Sequence, residues 1–506
     1  MSAGSVTLDG TSLTLEQVVQ IAFGEKVTIA PKAKEKVAQA RQITETLARG
    51  DAAIYGVNTG FGFLARSKIG PEELALLQRN IILSHASGHG EPLSREETRA
   101  MLLLRLNVLL RGVSGVRFSV CEMLANLLNA GIHPLVPEKG SVGASGDLAP
   151  LAHLSLALIG EGKCEYRSEI IDSAYALKQA GLKPLVLAEK EGLCLVNGTQ
   201  AMGAVGGLAL QAARDLAVIA DIAAALTIDA RRGGTDSLHP FTHEARNHPG
   251  QIRSAARMVV LLKGSKLSGS LEDRSHIQDP YSLRCTPQVH GPSFEALDYA
   301  AQVIDRELNA ATDNPIIALS EGKFLNGGNF HGQPLALAFD FASIAAAELG
   351  NISERRIEQL LNPHHSGLPA FLTPKPGINS GFMAAQYLAA SLVNENKIFA
   401  NPACTDSIPG NVNVEDHVSM GMTSARKFRT IVENLRVILG VEILCAVQAI
   451  DLLGVELAAP KLQNVHRAVR KAISKLEGDR IIAEDVEKAV ALLKTRELIA
   501  AADIAL

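Results

Sequence analysis

From Thr199 to Ala230 the chain contains no proline, and small and aliphatic residues dominate. A helix over this stretch has about 30 residues and is roughly 45 Å long. It is too apolar to stand alone in water, so it must sit in a bundle, between helices or between subunits. Arg214, Asp215 and Asp221 interrupt it before it reaches the length of a membrane span. The composition fits that constraint. Hydrophobic residues make up 47% of the 506 and aromatics only 4%, with no Trp, which is the aliphatic interior that long packed helices use. A chain of this length can bury a substantial core.

The same composition narrows the partners. A net charge of −4 lacks the clustered basic excess of a nucleic-acid-binding surface. Cys121, Cys164, Cys194, Cys285, Cys404 and Cys445 are scattered, with no C-x-x-C, and read as the reduced thiols of a cytoplasmic protein. Met1 to Thr11 has neither a basic n-region nor an apolar h-region, so neither a secretory signal nor a membrane is expected.

The expected class is mainly α, with a small α/β part leading into a bundle of long helices. Residues 1–200 are expected to form an N-terminal domain and 201–506 a helical bundle with oligomerisation helices. In the first part, Thr14 to Phe23 reads as a helix closed by Gly24, Lys26 to Ile29 as a strand, and Pro31 to about Arg49 as a helix. Another helix starts at Pro71. Ser94 and Glu97 form a capping box that opens a helix over 94–112, and a second follows over 118–130. Gly192 to Asn197 reads as an apolar, strand-like run. Residues 231–290 read as a long connection. Further helices are expected over 293–311, 334–361, 383–399 and 417–450, with Glu415 opening the last, where the helix dipole favours a carboxylate. Two amphipathic helices close the chain.

Two chemistries are excluded by spacing. His243 and His248 are five residues apart, about 140° on a helix, so they do not form a zinc pair. Gly203 to Gly207 is not followed by the Gly-Lys-Ser/Thr of a phosphate loop. Neither a metal nor an external cofactor is expected.

Gly140-Ser141-Val142-Gly143-Ala144-Ser145-Gly146-Asp147 points elsewhere. Glycines permit backbone geometry that other residues reach only with strain. Bent sharply enough, the Gly146 nitrogen can attack the Ala144 carbonyl. Loss of two waters, one carrying the Ser145 hydroxyl oxygen, leaves a five-membered ring with an exocyclic methylene. Such a ring is an electrophile, which no ordinary side chain supplies.

The string GSVGASGDLAPLAH resembles the signature of the aromatic amino acid ammonia-lyases, whose Ala-Ser-Gly cyclises to methylidene-imidazolone (MIO). Five more blocks resemble that family in order: YGVNTGFG, LVNGT, QDPYSLRCTPQ, GNFHG and EDHVS. Together they span about residue 10 to 455. The resemblance implies an ammonia-lyase (fumarase/aspartase-like) architecture, Tyr55 as catalytic base, and Asn197 in the substrate site. It implies Gln278 and Arg284 as substrate-binding, Tyr281 as catalytic, and Phe330 as a ring near the electrophile. It also implies a homotetramer whose active sites draw on three subunits. Two positions depart from the family: Val414 stands where it usually has Gln, and His89 where most members have a small aliphatic residue.

Ammonia is a poor leaving group and the β-hydrogen is barely acidic, so the reaction needs an electrophile and a base. Tyr55 must be partly ionised to act, which calls for donor hydrogen bonds or positive charge nearby and implies an alkaline optimum. Arg284 can grip a carboxylate with its planar fork. The Ser84-His85 pair resembles the members that act on histidine and some that act on tyrosine, and Glu415 resembles the members that act on histidine. A carboxylate facing a phenyl ring would go unpaired, at a cost of roughly 1–3 kcal/mol. L-Histidine is therefore the expected substrate, with urocanate and ammonia as products. The alternatives are a tyrosine or phenylalanine ammonia-lyase or an aromatic 2,3-aminomutase, and more remotely a catalytically silent helical scaffold.

Overall fold

The proline-free stretch is one helix, Gln200–Ala230, in a computed structural model that describes residues 4–66, 68–270 and 278–504. Twenty α-helices against nine short strands, among the described residues, make the fold mainly α. The chain divides into two compact units. The first comprises Met1–Leu208, Ala301–Asp340 and Pro402–Arg426, the second Ala209–Ala300, Phe341–Asn401 and Lys427–Leu506.

The first unit opens with two parallel strands, Ser5–Leu8 and Lys26–Ile29, joined by the helix Leu15–Ala22. The strand Ser5–Leu8 was not anticipated, because its apolar positions are too few to show a pattern. The capping box is present as predicted. Ser94 Oγ accepts from Glu97 N at 3.1 Å, and Glu97 Oε2 accepts from Ser94 N at 2.9 Å. The helices Arg95–Leu110 and Phe118–Ala130 follow.

The run read as a strand before Asn197 is instead a helix, Glu191–Val196. A short apolar run does not distinguish the two by periodicity. What decides here is a distant side chain: Gln78 Oε1 accepts from Gly192 N (2.9 Å) and Leu193 N (3.3 Å). These are first-turn amides that a helix leaves without internal partners.

In the second unit a buried polar chain ties together segments of four long helices, Gln200–Ala230, Thr286–Glu307, Gln333–Leu361 and Gly421–Leu453. Asp221 accepts from Ser254 Oγ (2.7 Å), Arg257 Nη1 (2.6 Å) and His290 Nδ1 (2.7 Å). Arg356 donates to both oxygens of Glu442 (2.5 and 2.9 Å) and, through Nη1, to His290 Nε2 (3.3 Å). Since a guanidinium only donates, His290 Nε2 must offer a lone pair. The ring is thus neutral, in keeping with burial pushing its pKa down, and its contact with Asp221 is a hydrogen bond rather than an ion pair. Thr227 and Ser353 complete the coordination of Glu442 (2.8 and 2.6 Å). Glu442→Gln leaves Arg356 as an unpaired buried charge and should lower stability by about 3–5 kcal/mol, measured by chemical denaturation.

Several expectations for this unit are corrected. Residues 231–290, read as a connection, contain the helices Pro240–Arg246 and Pro249–Leu262; residues 271–277 lie outside the described residues. The helix expected over 293–311 is Thr286–Glu307 and contains Pro292. A proline there removes one backbone donor without ending a helix whose other bonds hold. The C-terminal segment forms three helices, not two: Pro460–Ala472, Ile482–Leu493 and Glu497–Ala502.

Among the described residues one helix, Gln333–Leu361, is long and apolar enough to cross a membrane, but 67% of its apolar window is buried, as in a core helix. All six cysteines are free.

Candidate active site

The site is built in the first unit around the glycine-rich loop that precedes the helix Leu148–Leu156. Ala144 and Gly146 are buried, and Ser145 is half-buried. Gly146 has φ +74°, in the left-handed region where a side chain is strained. A Cβ on it would fall 2.1 Å from the Gly198 carbonyl oxygen. The two backbones meet in a parallel bridge, and Asp147 N donates to Gly198 O at 2.6 Å. Asn197 Nδ2 donates to Ser145 O at 3.0 Å. The tripeptide is thus held in a sharp bend by backbone contacts that tolerate only glycine at its third position, which suits cyclisation.

Two residues not singled out by their motifs support this bend. Asp147 is fully buried and accepts from Ser141 Oγ (2.7 Å) and Met202 N (2.8 Å). Burial pushes its carboxyl up to about 6, against the pull of those hydrogen bonds. Arg105, also fully buried, donates through Nη1 to Asn197 O (2.7 Å) and Gln200 Oε1 (2.9 Å).

A carboxyl whose folded pKa is raised stabilises the fold below its unfolded value and loses that contribution as pH rises through the folded one. Asp147 should therefore lower stability across the window from 3.8 to about 6, by up to about 3 kcal/mol. Thermal denaturation across this range should fall more steeply with pH for the natural protein than for Asp147→Asn.

Two adjoining cavities of about 540 and 460 Å³ open beside the loop, and Tyr55, Gly62, Ser145, Asn197, Asn411 and Glu415 line both. Tyr55 heads the glycine loop as expected, and its Oη accepts from Gly62 N at 3.1 Å. His85 ends the helix Leu74–His85 and lines the smaller cavity. Its ring shares a hydrogen bond with Ser84 Oγ (3.0 Å). Burial pushes its pKa down, while the charge of Glu415 pulls it partly back. Phe330 lines the larger cavity.

Glu415 does not open a helix, which corrects the helix-dipole expectation. It pairs with Gly410 in an antiparallel bridge, and the helix begins at Gly421. Asn411, Val412 and Asn413 take positive φ of +49°, +53° and +62°, which curls the chain and delays the helix. Its side chain is held instead by donors: Ser145 Oγ (2.8 Å) and Asn411 Nδ2 (3.3 Å) both reach Oε1. Val414 is 58% exposed and lines the larger cavity. His89 lies in the exposed strand His89–Pro92.

The structure thus gathers Tyr55, His85, Ala144, Ser145, Asn197, Phe330 and Glu415 around two cavities lined from the first unit, with Gly146 in the bend behind them. Gln278, Tyr281 and Arg284 belong to the second unit. There Arg284 Nε donates to Asp279 O (2.9 Å), its guanidinium lies 4.5 Å from the centre of the Tyr281 ring, and Tyr281 is 70% exposed. Among the described residues neither Lys nor Arg lines either cavity.

Comparison with known proteins agrees with the motifs. A histidine ammonia-lyase of Symbiobacterium thermophilum is 49% identical over 495 residues, covering 98% of this chain and 97% of that one. The crystal structure of histidine ammonia-lyase from Trypanosoma cruzi superposes with a TM-score of 0.92 at 41% identity, over 99% of this chain and 95% of that one. A tyrosine aminomutase from Streptomyces globisporus superposes as well, with a TM-score of 0.94 at 40% identity, over 99% and 100%. The fold is therefore shared by enzymes of different substrate and outcome. Residues 13–471 match the family model of the aromatic amino acid lyases, and the chain belongs to that family.

Proposed function

We propose that this lyase removes ammonia from L-histidine, without oxidation, to give trans-urocanate. The observation that carries the reading is Glu415 on a cavity wall shared with His85 and Ser145. A carboxylate there finds a partner in an imidazole N–H and none in a phenyl ring, so it selects by the cost of leaving it unpaired. The relatives at about half identity carry the same name. Cyclised, Ala144-Ser145-Gly146 supplies an electrophilic methylene, the MIO group, that makes the substrate's amine a leaving group without any external cofactor.

The remaining roles fall to side chains of this chain. Tyr55 takes the β-proton at its Oη. Asn197, on the same wall as Ser145, orients the substrate, and Phe330 shields the larger cavity from water. A substrate carboxylate meets no cation among the described residues that line the cavities. We therefore assign its grip to Arg284, with Gln278 beside it and Tyr281 assisting the proton transfer, supplied by another copy of the chain in a homotetramer. The exposure of Tyr281 suits such a shared site, and the free cysteines suit a cytoplasmic setting.

The test is direct. The purified protein is incubated with L-histidine, L-tyrosine and L-phenylalanine while the ultraviolet band of each conjugated acrylate is followed. Urocanate alone is expected. A coumarate or cinnamate band would replace the substrate assignment, and silence with all three would leave only a scaffold.

A further inference from the structure

The hydrogen bond from Ser145 Oγ to Glu415 Oε1 cannot outlast ring formation, because that oxygen leaves as water. One side-chain donor to the carboxylate then remains among the described residues: Asn411, whose Nδ2 lies 3.3 Å from the same Oε1. Asn411 also reaches the other way. Its Oδ1 accepts from Phe63 N at 3.2 Å. A Cβ on Gly62, itself at φ +55°, would fall 2.1 Å from Asn411 Nδ2. Gly62 N in turn donates to Tyr55 Oη. One amide therefore links the carboxylate expected to choose the substrate ring to the loop that presents the expected base. Val414, three residues on in the same cavity wall, has no polar side-chain atom to offer.

We propose that Asn411 is a positioning residue of this site, holding the Glu415 carboxylate and the Tyr55 loop in register in place of the amide that Val414 lacks. The inference rests on the histidine reading above. An unanchored carboxylate samples several rotamers, and only some of them meet a ring N–H, so the amide acts by fixing direction. Glu415 Oε2, which has no side-chain partner among the described residues, is left to face the substrate.

The left-handed backbone at Asn411 supplies the controls. Asn411→Gly keeps that conformation and removes the amide. Asn411→Asp keeps shape and conformation but sets a second carboxylate beside Glu415. Both are measured in the full-length protein by intact mass, kcat and KM on L-histidine, and pH profile. Each variant should still be lighter by two waters. Asn411→Gly should lose about ten- to hundredfold in kcat/KM, the scale of one charge-assisted hydrogen bond. Asn411→Asp should lose more, with its acid limb moved to higher pH, because a like charge opposes ionisation. Val414→Gln added to Asn411→Gly should restore most of the loss.

An Asn411→Asp variant indistinguishable from the natural protein would reduce Asn411 to a loop former and overturn the inference. So would an Asn411→Gly variant that fails to lose the two waters, or a double variant no better than the single one. If the natural protein itself gives no urocanate, the substrate reading fails first, before any variant is compared, and this inference falls with it.

Discussion

Ser145→Ala and Gly146→Ala should each give a chain that is not lighter by two waters and loses activity on L-histidine by at least about a thousandfold. The two fail for different reasons. Ser145→Ala has no hydroxyl oxygen to lose as the second water, so no methylene forms. Its fold should hold, since the half-buried Ser145 side chain makes one hydrogen bond, to Glu415. Gly146→Ala keeps every atom the reaction needs and misplaces them. Its Cβ would fall 2.1 Å from Gly198 O at a φ of +74°, so the bend must open or Gly198 must move. Either way the Gly146 nitrogen no longer addresses the Ala144 carbonyl.

Because Gly198 adjoins Asn197 and the start of the helix Gln200–Ala230, Gly146→Ala should also lower stability, by about 1–3 kcal/mol. Intact mass, the urocanate assay and thermal denaturation separate the two variants. A Gly146→Ala chain that sheds two waters and turns over would show that the close approach to Gly198 is not what drives the bend.

The parts of the site legible in the sequence are those whose meaning lies in a contiguous string. Tyr55, Asn197, Phe330 and Glu415 each sit in a block that can be read by itself, and the structure brings all four to the larger cavity. Arg105, Asp147 and Asn411 were not legible as site residues, because what defines each is a partner far along the chain: Gln200, Met202 and Phe63. The same division runs through the fold. The absence of proline over 199–230 is a local property and yields the helix within a residue at its start. The run 191–196 is helical because Gln78 meets its first amides, which no window around it can reveal. Glu415 shows how a local rule misleads. A carboxylate shortly before a long helix looks like a dipole partner, but three consecutive left-handed residues place it in a bridge with Gly410.

Tyr55→Phe should keep the mass deficit of two waters and the fold, and lose about 10²- to 10⁴-fold in kcat, the usual contribution of a positioned base. The ring itself is retained, so the packing of its loop is unchanged; what disappears is the oxygen that accepts from Gly62 N at 3.1 Å. A backbone donor aimed at that oxygen is suited to support negative charge on it. A phenol is a base only once ionised, and the phenyl ring of the variant supplies no such oxygen at any pH. KM should change little, because removing a group that acts on the proton in the transition state lowers kcat and kcat/KM together. Ring formation draws on Ala144, Ser145 and Gly146 rather than on Tyr55, so intact mass separates a lost base from a lost electrophile. A variant that kept its kcat would move the base to another group, and Tyr281 would then be the next phenol to remove.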